Sequence, residues 1–259
     1  VNVVSPTQPC FTLVSSNTPL ADRLRPDNLD DFVGQDHIVG EGKPLTKFLD
    51  RGIVPPSMLF WGPPGTGKTT LARIIAAETD AEFIELSAVD ASKDDLKQVT
   101  NKQRLTQQNI VLFLDEIHRF HKGQQDFLLP YVEDGTINLI GATTENPSFE
   151  VNNALLSRSQ TYTFKSLDDD ALHGIVERVE DQTDITVSDD AARAVAGLAD
   201  GDARRAISLV KTAWEIADDA VTVGDLDAVD PSATRYDKDG EKHYNLISAL
   251  HKSLRDSDV

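Results

Sequence analysis

Cysteine is almost missing from this sequence: Cys10 stands alone, so no internal disulfide can form, and there are only one methionine and two tryptophans. Sparse cysteine use fits a reducing compartment, and a cytoplasmic location is the default expectation. Positive charge is scarce too. Against 25 Lys and Arg stand 43 Asp and Glu, a formal charge of −18, which excludes a generally basic protein that coats DNA. No apolar run approaches the roughly 20 residues a membrane helix needs; the run Ile110-Val111-Leu112-Phe113-Leu114 is of strand length. Residues 1–18 contain no Lys or Arg and no continuous apolar stretch, so they do not read as a secretory signal and are expected to be a flexible leader.

What remains is ample for a folded protein. Hydrophobic residues fill 39% of the 259 positions, which argues against disorder and allows one large domain or two ordinary ones. The acid is chosen unevenly, with 31 Asp to 12 Glu. Such a surface stays hydrated by self-repulsion, a device of halophiles, and suggests a high-salt cytoplasm.

Strand-length apolar runs alternate with amphipathic stretches through the first two thirds of the chain. Ser57 to Trp61, Phe83 to Leu86, Ile110 to Leu114, Ile137 to Ala142 and Tyr162 to Phe164 read as strands. Helices are expected around Leu71, Ile74 and Ile75, from Ser92 to Gln107, and from Gln124 to Val132. The alternation predicts an α/β fold, a parallel sheet with helices on both faces. Beyond Ser166 only helical patterns follow, from Asp168, Ser188 and Asp202 onward, each opening on a good N-cap residue. Residues 167–240 hold seven basic against nineteen acidic side chains, so DNA should avoid the outer face of this small all-helical lid. The expected division is a leader over 1–18, a nucleotide-binding unit over 19–166, a lid over 167–235 and the start of a further helical region over 236–259. In the last of these Leu246, Ile247, Leu250 and Leu254 form an apolar stripe that needs something to pack on.

The chemistry sits at the end of the first strand. Gly62-Pro63-Pro64-Gly65-Thr66-Gly67-Lys68-Thr69 fits the phosphate-loop pattern G-x-x-x-x-G-K-[ST], and it stands between a strand and a helix, as its mechanism requires. Its glycines let successive backbone amides curl around phosphate oxygens, and the following helix adds its positive dipole end. The expected contacts are Pro64, Gly65, Thr66, Gly67, Lys68, Thr69 and Thr70, with Lys68 on the outer phosphates and the Thr69 hydroxyl on Mg²⁺; ATP with Mg²⁺ is the expected cofactor. Asp115 and Glu116 end the most apolar strand, at the sheet edge where the phosphate loop must also lie. Asp115 suits the metal's water shell. Glu116 suits the base that orients and deprotonates a water for attack on the γ-phosphate.

With Gly141-Ala142-Thr143-Thr144 and Ser157-Arg158-Ser159 following in this order, the chain resembles the AAA+ ATPases of the clamp-loader branch. Pro19-Leu20-Ala21-Asp22-Arg23-Leu24-Arg25-Pro26, Phe32-Val33-Gly34-Gln35-Asp36-His37, Asp115-Glu116-Ile117-His118-Arg119-Phe120 and the stretch from Gly141 to Val151 are similar to one family within it. This is the replication-associated recombination ATPases, which include the Werner-helicase-interacting ATPase. The resemblance runs from about Pro19 to the end. The segment from Tyr236 resembles that family's entry into its C-terminal oligomerisation region, so a truncated chain is expected.

The resemblance implies roles for individual residues. Thr144 matches sensor 1, with Thr143 the alternative by one register. Arg158 matches the arginine finger, which projects into a neighbour's ATP and so calls for a ring-like homo-oligomer. Arg204 in Gly201-Asp202-Ala203-Arg204 matches sensor 2, Arg205 is left to the surface, and Val33, Gly34 and His37 match the segment that cups adenine. The family also implies DNA-stimulated ATP hydrolysis in replication-fork maintenance, recombination and repair. Single-stranded or fork DNA and single-strand-binding protein are the implied partners, and nucleoid association the implied placement.

The stretch Leu86 to Asp95 departs from the Asn-rich clamp-loader pattern. Lys93, Lys97, Lys102 and Arg104 in and after it, with Arg119 and Lys122 beyond the third strand, are the candidate contacts to DNA phosphates. Three other readings compete. Asp115-Glu116-Ile117-His118 spells the DExH sequence of helicases, but those need a second RecA-like sheet that an all-helical lid cannot supply. A clamp-loader subunit is disfavoured by Ser157-Arg158-Ser159, where Ser-Arg-Cys is usual. A nucleotide-switched scaffold without turnover has no use for Glu116, Thr144 and Arg158. His118 and His121 have no Cys or acid cluster beside them and read as packing or polar contacts rather than metal ligands.

Overall fold

The computed structural model describes residues 18–89 and 91–231, so the expectations for residues 1–17 and 232–259 lie outside the described residues. In chain order the elements are α1 (Leu20–Arg23), α2 (Asp36–Val39), α3 (Pro44–Leu49), β1 (Met58–Trp61), α4 (Lys68–Glu78), β2 (Glu82–Ser87), α5 (Lys93–Thr106) and β3 (Ile110–Asp115). A 3₁₀ turn over Ile117–Arg119 leads to α6 (Lys122–Glu133), β4 (Asn138–Thr143), α7 (Pro147–Glu150), α8 (Asn153–Leu156) and β5 (Gln160–Thr163). Only helices follow: α9 (Asp169–Gln182), α10 (Asp189–Ala199), α11 (Ala203–Trp214) and α12 (Val223–Val229). The expected α/β architecture with an all-helical lid is the one found.

All five strands run parallel in one sheet, in the order β2-β3-β4-β1-β5. The order places β1, which leads into the phosphate loop, beside β4, and β4 beside β3. Trp61 pairs in register with Thr143, and Leu114 with Gly141, so the ends of the three strands emerge next to one another at the carboxyl edge.

The apolar run of β3 explains why the sheet needs cover on both sides. Val111 and Phe113 point into a cluster with Leu71, Ala72 and Ile75 of α4, while Ile110, Leu112 and Leu114 join Leu96 and Val99 of α5 and Leu128 of α6. All five residues of the run are fully buried. Burying a side chain of this kind stabilises by about 1.5–3 kcal/mol, so the strand that ends in Asp115 and Glu116 is among the most firmly held in the molecule.

The lid has its own core. Leu172, Val176 and Val179 of α9 pack with Ala191 and Val195 of α10, Ala206 and Val210 of α11 and Leu226 of α12. The three N-caps expected from sequence each accept amide hydrogen bonds: Asp168 from Ala171, Ser188 from Ala191, and Asp202 from Arg204 and Arg205. Leu20 and Leu24 pack in this lid core rather than against the sheet, although they fall within the 19–166 stretch expected to form the nucleotide-binding unit. No helix among the described residues is long and apolar enough to cross a membrane.

Candidate nucleotide site

The phosphate loop is built on glycines that tolerate close approach. Gly65 has φ of 64°, a left-handed conformation that side chains disfavour, and a Cβ there would land on the Asp202 carboxylate. At Gly62 a Cβ would meet the carbonyl of Phe164, which follows β5. The Thr66 hydroxyl donates to the Pro63 carbonyl at 2.9 Å and closes the loop. Gln35, whose φ is 61°, staples this region from below: its side chain donates to the Lys165 carbonyl at 2.7 Å and accepts from the Lys165 amide at 3.0 Å.

Lys68 opens α4 and donates from Nζ to the carbonyls of Gly62 at 2.8 Å and Pro63 at 2.6 Å. Burial removes water from its ammonium and lowers its pKa from 10.5 to about 8; Asp115, Glu116 and Asp202 oppose that shift, and Arg204 adds to it. A triphosphate favours the protonated form, so binding should draw a proton onto the lysine. Calorimetry of MgATP binding in buffers of different ionisation enthalpy should find uptake of about half a proton per site at pH 8 and under about a tenth at pH 7. Heats that do not depend on the buffer at pH 8 would contradict this.

One cavity collects most of the residues expected to act. Pro64, Gly65, Thr66, Gly67, Lys68, Thr69 and Thr70 line it, with Asp115 and Glu116 from the end of β3, Thr144 from the end of β4 and Arg204 from the first turn of α11. Thr69 and Asp115 both line this cavity and carry oxygen ligands of the kind Mg²⁺ takes. Of the two threonines at the end of β4, Thr144 is exposed and lines the cavity, whereas Thr143 is buried and its hydroxyl lies 3.0 Å from His118 Nδ1 and accepts from the Glu145 amide at 3.0 Å.

Several candidates stand elsewhere. Of the adenine segment only Val33 lines the cavity. Gly34 packs against Leu167, and His37 pairs through Nε2 with the Thr163 carbonyl at 2.7 Å. Arg158 is not among the lining residues; it follows α8 and binds the Ala154 carbonyl at 2.9 Å and Glu133 at 2.6 Å. Arg205 pairs with Asp230. The candidate DNA contacts divide. Lys93 lies close to Gly123, which brings the starts of α5 and α6 together near Lys122 and Arg119. Lys102 sits nine residues further along α5, about 13 Å away, and is ion-paired with Glu82 at the start of β2, while Lys97 pairs with Asp94 at 2.7 Å.

The outer wall of the cavity is formed by residues not expected from the sequence to line it. Arg25, Phe32, Ile175, Arg178 and Ile207 also line the cavity, from the N-terminal segment and two lid helices. Arg25 donates to Thr70 at 3.3 Å, and Arg178 donates to the Asp31 carbonyl at 3.2 Å, tying α9 to the segment after α1. The Arg25 signal was present in the Leu24-Arg25-Pro26 motif, but the isoleucines look like any helix-face residue.

Similarity to known proteins agrees with this geometry. Residues 58–167 match the ATPase family associated with various cellular activities (AAA), and residues 181–255 match the AAA C-terminal domain. The chain is 44% identical to replication-associated recombination protein A of Escherichia coli, over 94% of this chain and 58% of that protein. It is 39% identical to the ATPase WRNIP1 of Dictyostelium discoideum, over 94% of this chain and 31% of that one. It thus spans little more than half, or less, of these curated relatives. Among solved structures, the Holliday junction branch migration motor RuvB of Thermotoga maritima superimposes with a TM-score of 0.69 at 30% identity, covering 78% of this chain and 70% of that one. The strand order, the glycine loop, the paired acids and these likenesses agree, and the chain belongs to the AAA+ ATPases, in the family of replication-associated recombination protein A.

Proposed function

We propose that this chain carries the ATP-hydrolysing engine of a DNA-stimulated homo-oligomer that acts in replication-fork maintenance, recombination and repair. The observation that carries the proposal is the convergence of the phosphate loop, Asp115, Glu116, Thr144 and Arg204 on one cavity. Lys68 would hold the β- and γ-phosphates, and Thr69 and Asp115 would hold Mg²⁺, which would supply charge neutralisation on the phosphates. Glu116 takes a proton from the attacking water, Thr144 fixes that water or the γ-phosphate, and Arg204 reports the γ-phosphate to the lid. Its position directly after β3, on the wall of the same cavity as the phosphate loop, suits Glu116 to activate a water for attack in line with the leaving group.

Arg158 serves a neighbouring subunit's site, a reading supported by its exposure outside its own cavity. DNA contacts are assigned to Lys93, Lys97, Lys102, Arg119 and Lys122, with the cluster at the starts of α5 and α6 the better placed. The relatives' names motivate the fork and recombination role, and single-strand-binding protein is the protein partner proposed.

ATP turnover by the full-length protein, measured with and without single-stranded DNA ends alongside its mass in solution, tests the reading. Turnover by an assembled species that rises with DNA is expected; an assembled protein that never turns over ATP would defeat it. Arg158→Ala should bind MgATP normally and lose turnover by about 10³-fold or more, the scale of an arginine finger. Mixing it with Lys68→Ala should restore part of the activity, because an intact finger then meets an intact loop at some junctions. An Arg158→Ala protein with full activity removes the shared site.

A further inference from the structure

His118 lies one turn beyond the paired acids and is drawn inward, with its side chain 15% exposed. Its Nε2 is 3.2 Å from an oxygen of Glu116, and its Nδ1 is 3.0 Å from the hydroxyl of Thr143, the last residue of β4. The Thr143 hydroxyl continues the chain, accepting from the Glu145 amide at 3.0 Å and lying 3.2 Å from the Glu145 carbonyl. Thr144, exposed to the cavity, is the residue enclosed by that small turn. A single imidazole therefore bridges the end of β3 to the end of β4, between the two groups assigned to the attacking water.

We propose that His118 is a positioning residue that fixes the Glu116 carboxylate relative to Thr144. This rests on the hydrolytic role proposed above for Glu116. Glu116 has φ of 55° and ψ of 44°, in the left-handed region, and its side chain has three torsions to restrain. The backbone aims the residue at the cavity, and the bond from Nε2 selects one carboxylate orientation. In the neutral ring, Nε2–H donates to Glu116 and Nδ1 accepts from the Thr143 hydroxyl. In the imidazolium, both nitrogens donate and the hydroxyl turns to the Glu145 carbonyl. Either arrangement keeps a donor on Glu116, so the tether survives protonation. A base displaced by even 1 Å from its water loses about a hundredfold in rate, so a tether of this kind acts on turnover and leaves nucleotide binding alone.

Steady-state ATP hydrolysis by the full-length protein, with separate MgATP affinities and melting curves, tests the assignment through three substitutions. His118→Ala should lower kcat about tenfold to a hundredfold with KM and MgATP affinity within about twofold. The side-chain nitrogen of Gln reaches the imidazole's Nε2 position, and that of Asn reaches only Nδ1. His118→Gln should therefore recover most of kcat, while His118→Asn should keep the melting temperature and stay slow. Unchanged or raised kcat in His118→Ala would overturn the assignment, as would equal losses in the Gln and Asn variants accompanied by lower melting temperatures and higher KM, the pattern of a packing role. If the wild-type protein hydrolyses no ATP, the proposed function falls instead, and the two failures are told apart.

Discussion

Glu116→Gln should bind MgATP about as tightly as the wild type and turn it over at least about a hundredfold more slowly, the scale of losing a positioned general base. The substitution keeps size and hydrogen-bonding capacity but removes the basic oxygen. Nothing else in the site needs to move: the neighbouring Asp115 still accepts from the backbone amide of position 116 at 3.1 Å, and the bridge from His118 has an amide oxygen to meet. Isothermal titration and a phosphate-release assay on the same preparation separate the two quantities. A Glu116→Gln protein that hydrolyses at the wild-type rate would move the base elsewhere.

Lys68→Ala should lose binding itself. Lys68 opens α4 and lines the cavity where the phosphates are proposed to bind, and truncating one partner of a partly buried charged contact costs about 2–5 kcal/mol, enough to take affinity down by some two orders of magnitude. The fold should not suffer. In the nucleotide-free protein the lysine's pKa lies at about 8, below its ordinary 10.5. Between these values the unfolded chain binds more protons than the folded one, so stability rises with pH across that window, and below about pH 8 the buried charge is a net cost. A melting temperature in Lys68→Ala equal to or above the wild type at pH 7, with no heat of MgATP binding, is the expected pair of results. Retained binding would refute the assignment, while loss of binding together with collapse of the fold would show that the lysine holds the loop itself.

How much of this was readable in advance follows the range of the forces involved. β3 was plain because five consecutive apolar residues need cover on both faces, and the caps at Asp168, Ser188 and Asp202 were plain because capping is settled within three residues. Glycine spacing fixed the phosphate loop for the same reason. α12 went unread although Thr222 and Asp225 form a capping box, because seven residues give too short an apolar repeat to recognise. The outer wall of the cavity was out of reach in a deeper sense. Ile175, Arg178 and Ile207 meet Arg25 and Phe32 only because the lid folds back over the sheet, and no local pattern encodes that return. Sequence alone also cannot tell Thr143 from Thr144 in their surroundings, since that difference depends on which hydroxyl His118 takes up.

The seat of the lid on the glycine loop has a mechanical meaning. The amide of Ala203 donates to the Gly65 carbonyl at 3.1 Å, and Asp202, which caps α11, rests where any side chain at position 65 would have to go. Phosphate cradle and helical arm thus meet through adjoining residues, and the conformation of Gly65 bears directly on the first turn of α11, the helix that carries Arg204 and Ile207 to the cavity wall.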